Sequence, residues 1–192
     1  MTQIKNGGTE RKARVSKSDW LNMALSVLKE GGIEAVRVER LAGRLGVAKS
    51  GFYYHFKDRT DLSQQMLDYW LALDGSPLLR ERMSRSVTPE ERLHIIIEAI
   101  EDSDLSRIDA AIRQWGRQDL KVRRIWRKEM NKRMDHIRGI FTQLGFEGDD
   151  LEMRVRTFVG YHVTEHDLFD DLTKKEKTIL KDLRVTLLTK RE

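Results

Sequence analysis

From residue 16 onward, apolar side chains recur every three or four positions and show no alternating run, the period of amphipathic helices rather than strands. Ser16 and Asp19 form a helix-start box, and Trp20, Leu21, Ala24, Leu25 and Leu28 follow until Gly31-Gly32 stops the run. Val38, Leu41, Ala42 and Leu45 predict a short second helix closed by Gly46. A third runs from near Lys49 to Phe56, and Asp58 stands where it would cap a fourth that carries Leu62, Met66, Tyr69, Trp70 and Leu73. The stretch DGSPLL, Asp74 to Leu79, breaks the period. Thr88-Pro89-Glu90-Glu91 then opens a helix reaching about Glu101. Further helices are predicted over Leu105 to Arg117, Asp119 to Leu144, Asp149 to Phe169 with Glu152 closing a cap box, and Thr173 to Thr189 with Glu176 doing the same. With no repeat, the fold class is all-α, about nine helices.

Composition supports this. Only two of 192 residues are proline, 39% are hydrophobic and 35% charged. The chain has no cysteine, which excludes disulfides, thiol nucleophiles and cysteine-ligated metals. Its longest apolar runs, such as Leu93 to Ile97, fall far short of the roughly 20 residues that span a bilayer, so a cytoplasmic protein with no membrane partner is expected. Charge is unevenly placed. Residues 1–59 hold twelve Lys and Arg against six Asp and Glu, whereas the remainder is close to balanced. That asymmetry fits a small N-terminal unit meeting a polyanion.

The stretch LAGRLGVAKSGFYYHFKDR, Leu41 to Arg59, has the parts of a helix-turn-helix. Ala42 is the small residue where two helices cross, Gly46 tolerates the turn, and Leu41, Leu45, Val47 and Phe52 lock the second helix on the first. Phe52 and Phe56, four apart, point inward together. Tyr53, Tyr54 and His55 cannot all share that face, because successive helical residues are about 100° apart. Tyrosine hydroxyls, imidazole N–H groups and cations such as Lys57 and Arg59 are the groups that reach phosphate oxygens. Ala48, Lys49, Ser50 and Gly51 lie at the end that a recognition helix inserts in the major groove, where Lys49 is able to donate to a guanine edge and Ser50 to either kind of base pair. Arg37 and Arg40 complete the candidate DNA-binding set.

Gly32 to Leu62, GIEAVRVERLAGRLGVAKSGFYYHFKDRTDL, closely resembles the DNA-binding head of the TetR (tetracycline-repressor-like, TetR/AcrR) transcriptional regulators. The resemblance rests on Leu41-Ala42, Leu45-Gly46-Val47, the small residues Ala48 to Gly51, the aromatic cluster Phe52 to Phe56, and Lys57 with Arg59, about a quarter of the chain. It departs at Ala48, where serine usually caps the recognition helix, and at Gly51, where threonine or alanine is common. The resemblance implies a homodimer whose heads occupy successive major grooves of a palindromic operator in double-stranded DNA. Half-sites read by a two-fold dimer lie about 34–36 Å apart. It implies too that the C-terminal bundle holds a small-molecule inducer of unknown identity. The resulting division is a flexible basic arm over 1–15, a helix-turn-helix domain over 16–60, and a ligand-binding and dimerisation domain over 61–192 whose first part, 61–73, is a linking helix. The function expected is that of a ligand-responsive transcriptional regulator, a repressor. The alternative is a DNA-binding dimer whose bundle docks a protein partner and senses no small molecule.

Within the bundle, Trp70, Trp115, Trp126, Met130, Met134, Phe158 and His162 are the candidate ligand contacts, although aromatics and methionines are also what any core uses. The resemblance places a dimer seam on the last two helices, where Val155, Val159, Leu180, Leu183 and Leu187 lie in apolar stripes; intrachain core is the alternative. His162, Glu165 and His166 share a helix neighbourhood, but Val163 follows His162 where a zinc-protease motif has glutamate, and no metal or cofactor is assigned. The chain lacks a Gly-rich phosphate loop and a convincing acid–base pair, so no enzyme activity is assigned either.

Overall fold

The computed structural model describes residues 15–73, 77–85, 88–102, 104–169 and 171–191. The expected arm, apart from Val15, lies outside them, as does the side chain of His166. The described residues form ten α-helices and one 3-10 turn, with no strand. The helices are α1 (Lys17–Gly31), α2 (Val38–Leu45), α3 (Ser50–His55), α4 (Arg59–Leu73), α5 (Pro77–Arg85), α6 (Pro89–Asp102), α7 (Leu105–Trp115), α8 (Leu120–Gln143), α9 (Gly148–Leu168) and α10 (Lys174–Thr189); the 3-10 turn is Ile33–Ala35.

The predicted caps set most boundaries. Ser16 and Asp19 close a reciprocal box on α1, Thr88 and Glu91 do so on α6, and Thr173 and Glu176 on α10. Each satisfies N–H groups that the first turn leaves without carbonyl partners. Asp58 accepts from Asp61 N at 2.8 Å ahead of α4, and Asp119 accepts from Lys121 N and Val122 N ahead of α8. Two expectations change. The count of nine omits α5: Pro77 breaks the apolar period yet stands as the first residue of a helix, where its missing N–H and fixed φ cost nothing. Glu147, not Asp149, is the residue before α9, without a side-chain cap. Glu152 is drawn away from the anticipated box by Arg138, whose Nε donates to it at 2.5 Å.

Two apolar clusters hold these helices. The first runs without a break from the head into the bundle: Trp20, Leu28, Leu41, Phe52 and Phe56 join Leu62, Met66 and Trp70 of α4 and Ile108, Ile112 and Trp115 of α7. Helix α1 packs directly on α7 as well as on α2 and α4. The second, formed by Leu93, Ile97, Ile140, Phe141, Val155, Phe158 and Val185 among others, closes α6, α8, α9 and α10 around one another.

Candidate nucleic-acid interface and ligand cavity

The turn between α2 and α3 closes as its residues dictate. Gly46 adopts the left-handed conformation, φ 66° and ψ 33°, which a residue without Cβ enters cheaply, and Val47 N then donates back to Ala42 O at 3.0 Å. Ala42 is buried at the helix crossing. Phe52 locks α3 from inside, its ring edge-on to Trp20 with centroids 5.7 Å apart and tilted against Phe56 at 5.1 Å. With Phe52 and Phe56 fully covered, the 100° step of the helix turns Tyr53 and Tyr54 outward, 64% and 68% exposed. Lys57 is exposed beside them, as are Ala48, Lys49 and Ser50 at the opposite end of α3. Gly51 is half-buried; a Cβ there would sit 3.6 Å from Trp20 Cζ2, an ordinary contact, so space does not require glycine.

Several candidate cations already have protein partners. Lys49 Nζ donates to Glu39 at 2.8 Å, and Arg40 reaches Glu30 at 3.4 Å, where Arg44, a residue the sequence reading passed over, donates twice at 2.6 Å. Arg44 holds the Glu30 carboxyl below its usual range. Arg37 Nε donates to Glu34 O, and Arg59 donates to Ile33 O at 2.8 Å, fastening the start of α4 to the 3-10 turn. His55 is half-buried with Nε2 3.3 Å from Val15 O, so its ring faces the root of α1 as well as the surface. Exposed pairs such as Lys49–Glu39 are screened by water and yield readily to a phosphate or a base.

Behind the head lies a cavity of about 600 Å³, walled by α5 to α9 and reached by Leu73 of α4. Its apolar lining includes Ile96, Ile100, Met130, Ile137, Phe158 and Val159. Of the seven residues expected to touch a ligand, Met130, Phe158 and His162 line it. Trp70 does not: it is wholly buried in the first cluster and its indole Nε1 donates at 2.7 Å to Asp109, which is the wall residue. Trp115 also lies within that cluster, Trp126 faces a shallow crevice among Arg113, Arg117, Arg123 and Arg127, and Met134 packs against the second cluster. The sequence reading missed the polar wall, Asp109, Glu129 and Arg133. A carboxylate on an apolar helix face, as at Asp109, was the available sign. Asp109 accepts from Arg133 Nη1 at 2.5 Å, and Lys132 donates to buried Glu129 at 2.9 Å.

His162 is 5% exposed, and burial holds its imidazole pKa below the ordinary value, with the neighbouring Glu165 carboxylate pulling the other way. The described residues contain no cluster of three or more metal-ligating side chains, and no helix among them is long and apolar enough to cross a membrane.

On the surface between α9 and α10, Leu180, Leu183 and Leu187 line an apolar groove with Tyr161 and Phe169; Leu183 and Leu187 are 58% and 72% exposed. Val155 and Val159 do not belong to this face. Val155 is completely buried in the second cluster and Val159 lines the cavity, because α9 turns those positions toward α6 and α8. Thr157 and Tyr161 are the α9 residues that border the groove.

Residues 21–66 match the family described as "Bacterial regulatory proteins, tetR family". The HTH-type transcriptional regulator AcrR of Shigella flexneri is 28% identical, across 48% of this chain and 51% of that protein, so the match spans about half the length of this curated relative. Two solved structures share the fold. The transcriptional regulator FadR from Bacillus subtilis, in complex with stearoyl-CoA, is 22% identical with TM-score 0.67, covering 91% of this chain and 98% of that one. AibR in complex with isovaleryl coenzyme A and operator DNA is 18% identical with TM-score 0.68, covering 90% and 97%.

Proposed function

We propose, from the premise that this chain belongs to the TetR family of bacterial regulatory proteins, that it binds a palindromic operator as a homodimer, represses transcription there, and releases the DNA when a small molecule fills the cavity. The observation that carries this reading is the outward projection of Tyr53 and Tyr54 from a six-residue helix whose other face is pinned into the core. Two large aromatic side chains that stay about two-thirds exposed beside Lys57 gain little from the monomer's core; laid along a duplex they bond phosphates and base edges. Ala48, Lys49, Ser50, Gly51 and Tyr54 enter the major groove, while Arg37, Arg40, Tyr53, His55, Lys57 and Arg59 flank it toward the backbone. Leu180, Leu183 and Leu187 meet their copies across the dimer seam. FadR and AibR, described with acyl-CoA ligands and in AibR's case with operator DNA too, support a fold that carries both kinds of occupant. The protein acts in the cytoplasm and catalyses nothing.

Mobility shifts on a duplex from the DNA upstream of the coding sequence, with mismatched duplexes as controls, test it. Tyr53→Phe and Lys57→Ala should weaken binding to every duplex, Lys57→Ala lowering the salt slope by about one. Lys49→Ala and Tyr54→Ala should change sequence preference, by about 1–3 kcal/mol for a lost base contact. Absence of duplex binding even in dilute buffer, or identical behaviour of the two sets, overturns the assignment.

A further inference from the structure

The cavity wall balances its own charge. The fully charged residues that line it, among the described residues, are two acids and two bases, and they pair with each other: Asp109 with Arg133, Glu129 with Lys132. A ligand carboxylate or phosphate entering this space must compete with a carboxylate for each cation, and at the largely buried Arg133 that exchange would take from Asp109 the charge that compensates it. The rest of the lining is aliphatic or aromatic apart from Ser106, His136 and His162. The site therefore selects for an uncharged body.

His162 is a buried wall residue whose two ring nitrogens make no hydrogen bond among the described residues. His162 comes from the middle of α9 and packs edge-on against Phe158 with ring centroids 4.8 Å apart. Its Nδ1 lies 3.4 Å from Glu165 Oε2, and Glu165 in turn lies 3.7 Å from Arg184 Nη1 of α10. The carboxylate assigns the ring proton to Nδ1, since a lone pair aimed at Oε2 would be repelled. Nε2, with no hydrogen-bond partner among the described residues, then presents a lone pair and no proton. A buried acceptor of this kind is costly to leave unmade, and the group that satisfies it must donate.

We infer that the ligand of this cavity is an uncharged, predominantly apolar molecule carrying a hydroxyl or N–H donor, and that His162 Nε2 accepts that hydrogen bond. This deepens the regulator reading and rests on it for biological meaning, but the chemistry is testable on the protein without DNA. Discrimination comes from the acceptor: a ketone of the same shape brings a second lone pair to Nε2, and a carboxylate brings a charge that must compete with Asp109 and Glu129 for the wall cations.

The experiment measures wild-type affinities for 1-decanol, 2-decanone and decanoate by competition for a cavity-bound fluorescent probe and by thermal shift. The alcohol should bind about tenfold tighter than the ketone, and decanoate weakest. His162→Phe should lose about tenfold for 1-decanol while leaving 2-decanone within about twofold, and His162→Gln, whose amide keeps an acceptor, should retain the alcohol preference. A merely structural histidine would move both ligands together. Equal wild-type affinity for alcohol and ketone, decanoate binding as well as the alcohol, or no binding of any of the three overturns the inference. Operator binding in mobility shifts is read separately, so a protein that grips DNA yet fails this series retains the regulator reading and loses this one.

Discussion

Asp109 is the residue whose replacement should report most directly on how the cavity is joined to the head. It is buried on α7, accepts from Trp70 Nε1 of α4 at 2.7 Å and from Arg133 Nη1 of α8 at 2.5 Å, and Arg133 also lies over the Trp70 ring, 5.9 Å from its centroid. Asp109→Ala strips a carboxylate from a largely buried guanidinium and from an indole N–H that water cannot reach. Breaking one side of a buried ion pair costs about 3–5 kcal/mol, and the stranded indole donor lies within that range rather than beyond it, because the two losses share a site. Asp109→Asn keeps an oxygen for the indole and removes the charge, for about 1.5–3 kcal/mol. Asp109→Leu combined with Arg133→Met removes both charges and should recover at least half of what Asp109→Leu alone loses. Urea unfolding followed by circular dichroism at one fixed protomer concentration measures all of these, and against a total of about 5–15 kcal/mol the differences are large. A loss below about 1 kcal/mol for Asp109→Ala, or a double variant no better than the single, would refute the account.

Two further outcomes follow from the geometry. Leu183→Glu with Leu187→Glu should yield a folded monomer by light scattering with operator affinity sharply reduced, whereas Val155→Ala, which opens a core void, should leave assembly intact and cost about 1.5 kcal/mol or more in unfolding; a dimeric double variant refutes the seam. His162 gives stability a pH dependence: because its folded pKa lies below the unfolded one, the unfolded chain binds the extra proton first, so stability is complete above about pH 6.5 and falls by up to about 1.4 kcal/mol per unit below it, until the folded pKa is reached. The lowered carboxyls of Glu98 and Glu152 act in the same direction but below their ordinary value of 4.5, so His162→Phe should flatten the pH 5–6.5 segment alone; an unchanged slope there contradicts a buried neutral ring.

The head was legible because each of its features is local. A cap box, a left-handed glycine, a small crossing residue and an aromatic pair four apart are read between Ser16 and Phe56, and each constrains the next. The cavity was less legible because its walls come from helices far apart in sequence, and helical period alone cannot say which apolar residue borders space and which borders another side chain. Trp70 shows this: its position on the linking helix was right for a ligand contact, yet a hydrogen bond to a residue 39 positions away turns it into the support behind the wall. Val155 failed as a seam residue for a similar reason. Helix α9 has apolar residues on more than one face, and only its neighbours decide that Val155 points to Phe141 and its cluster while Tyr161 borders the outside. DGSPLL was misread because proline breaks a period and begins a helix with equal ease.

The position of Asp109 also bears on how occupancy of the cavity would reach the DNA-binding face. Three residues separate α3 from α4, and Arg59 ties the start of α4 to the 3-10 turn of the head. The far end of α4 is held by Trp70 on Asp109, and Asp109 is itself part of the cavity wall. On the proposed function, a ligand that shifts the Asp109–Arg133 pair would act on α4, with no freely swinging linker before the head, since the first apolar cluster is continuous from Phe52 to Ile112. The magnitudes agree: couplings of about 1–3 kcal/mol suffice for 5- to 150-fold changes in affinity, and one hydrogen bond to a buried carboxylate supplies about 1.5–3 kcal/mol. If the cavity ligand releases operator DNA as proposed, linkage makes the effect reciprocal: DNA weakens the ligand by the same factor, and loosening Trp70 from Asp109 shrinks both together.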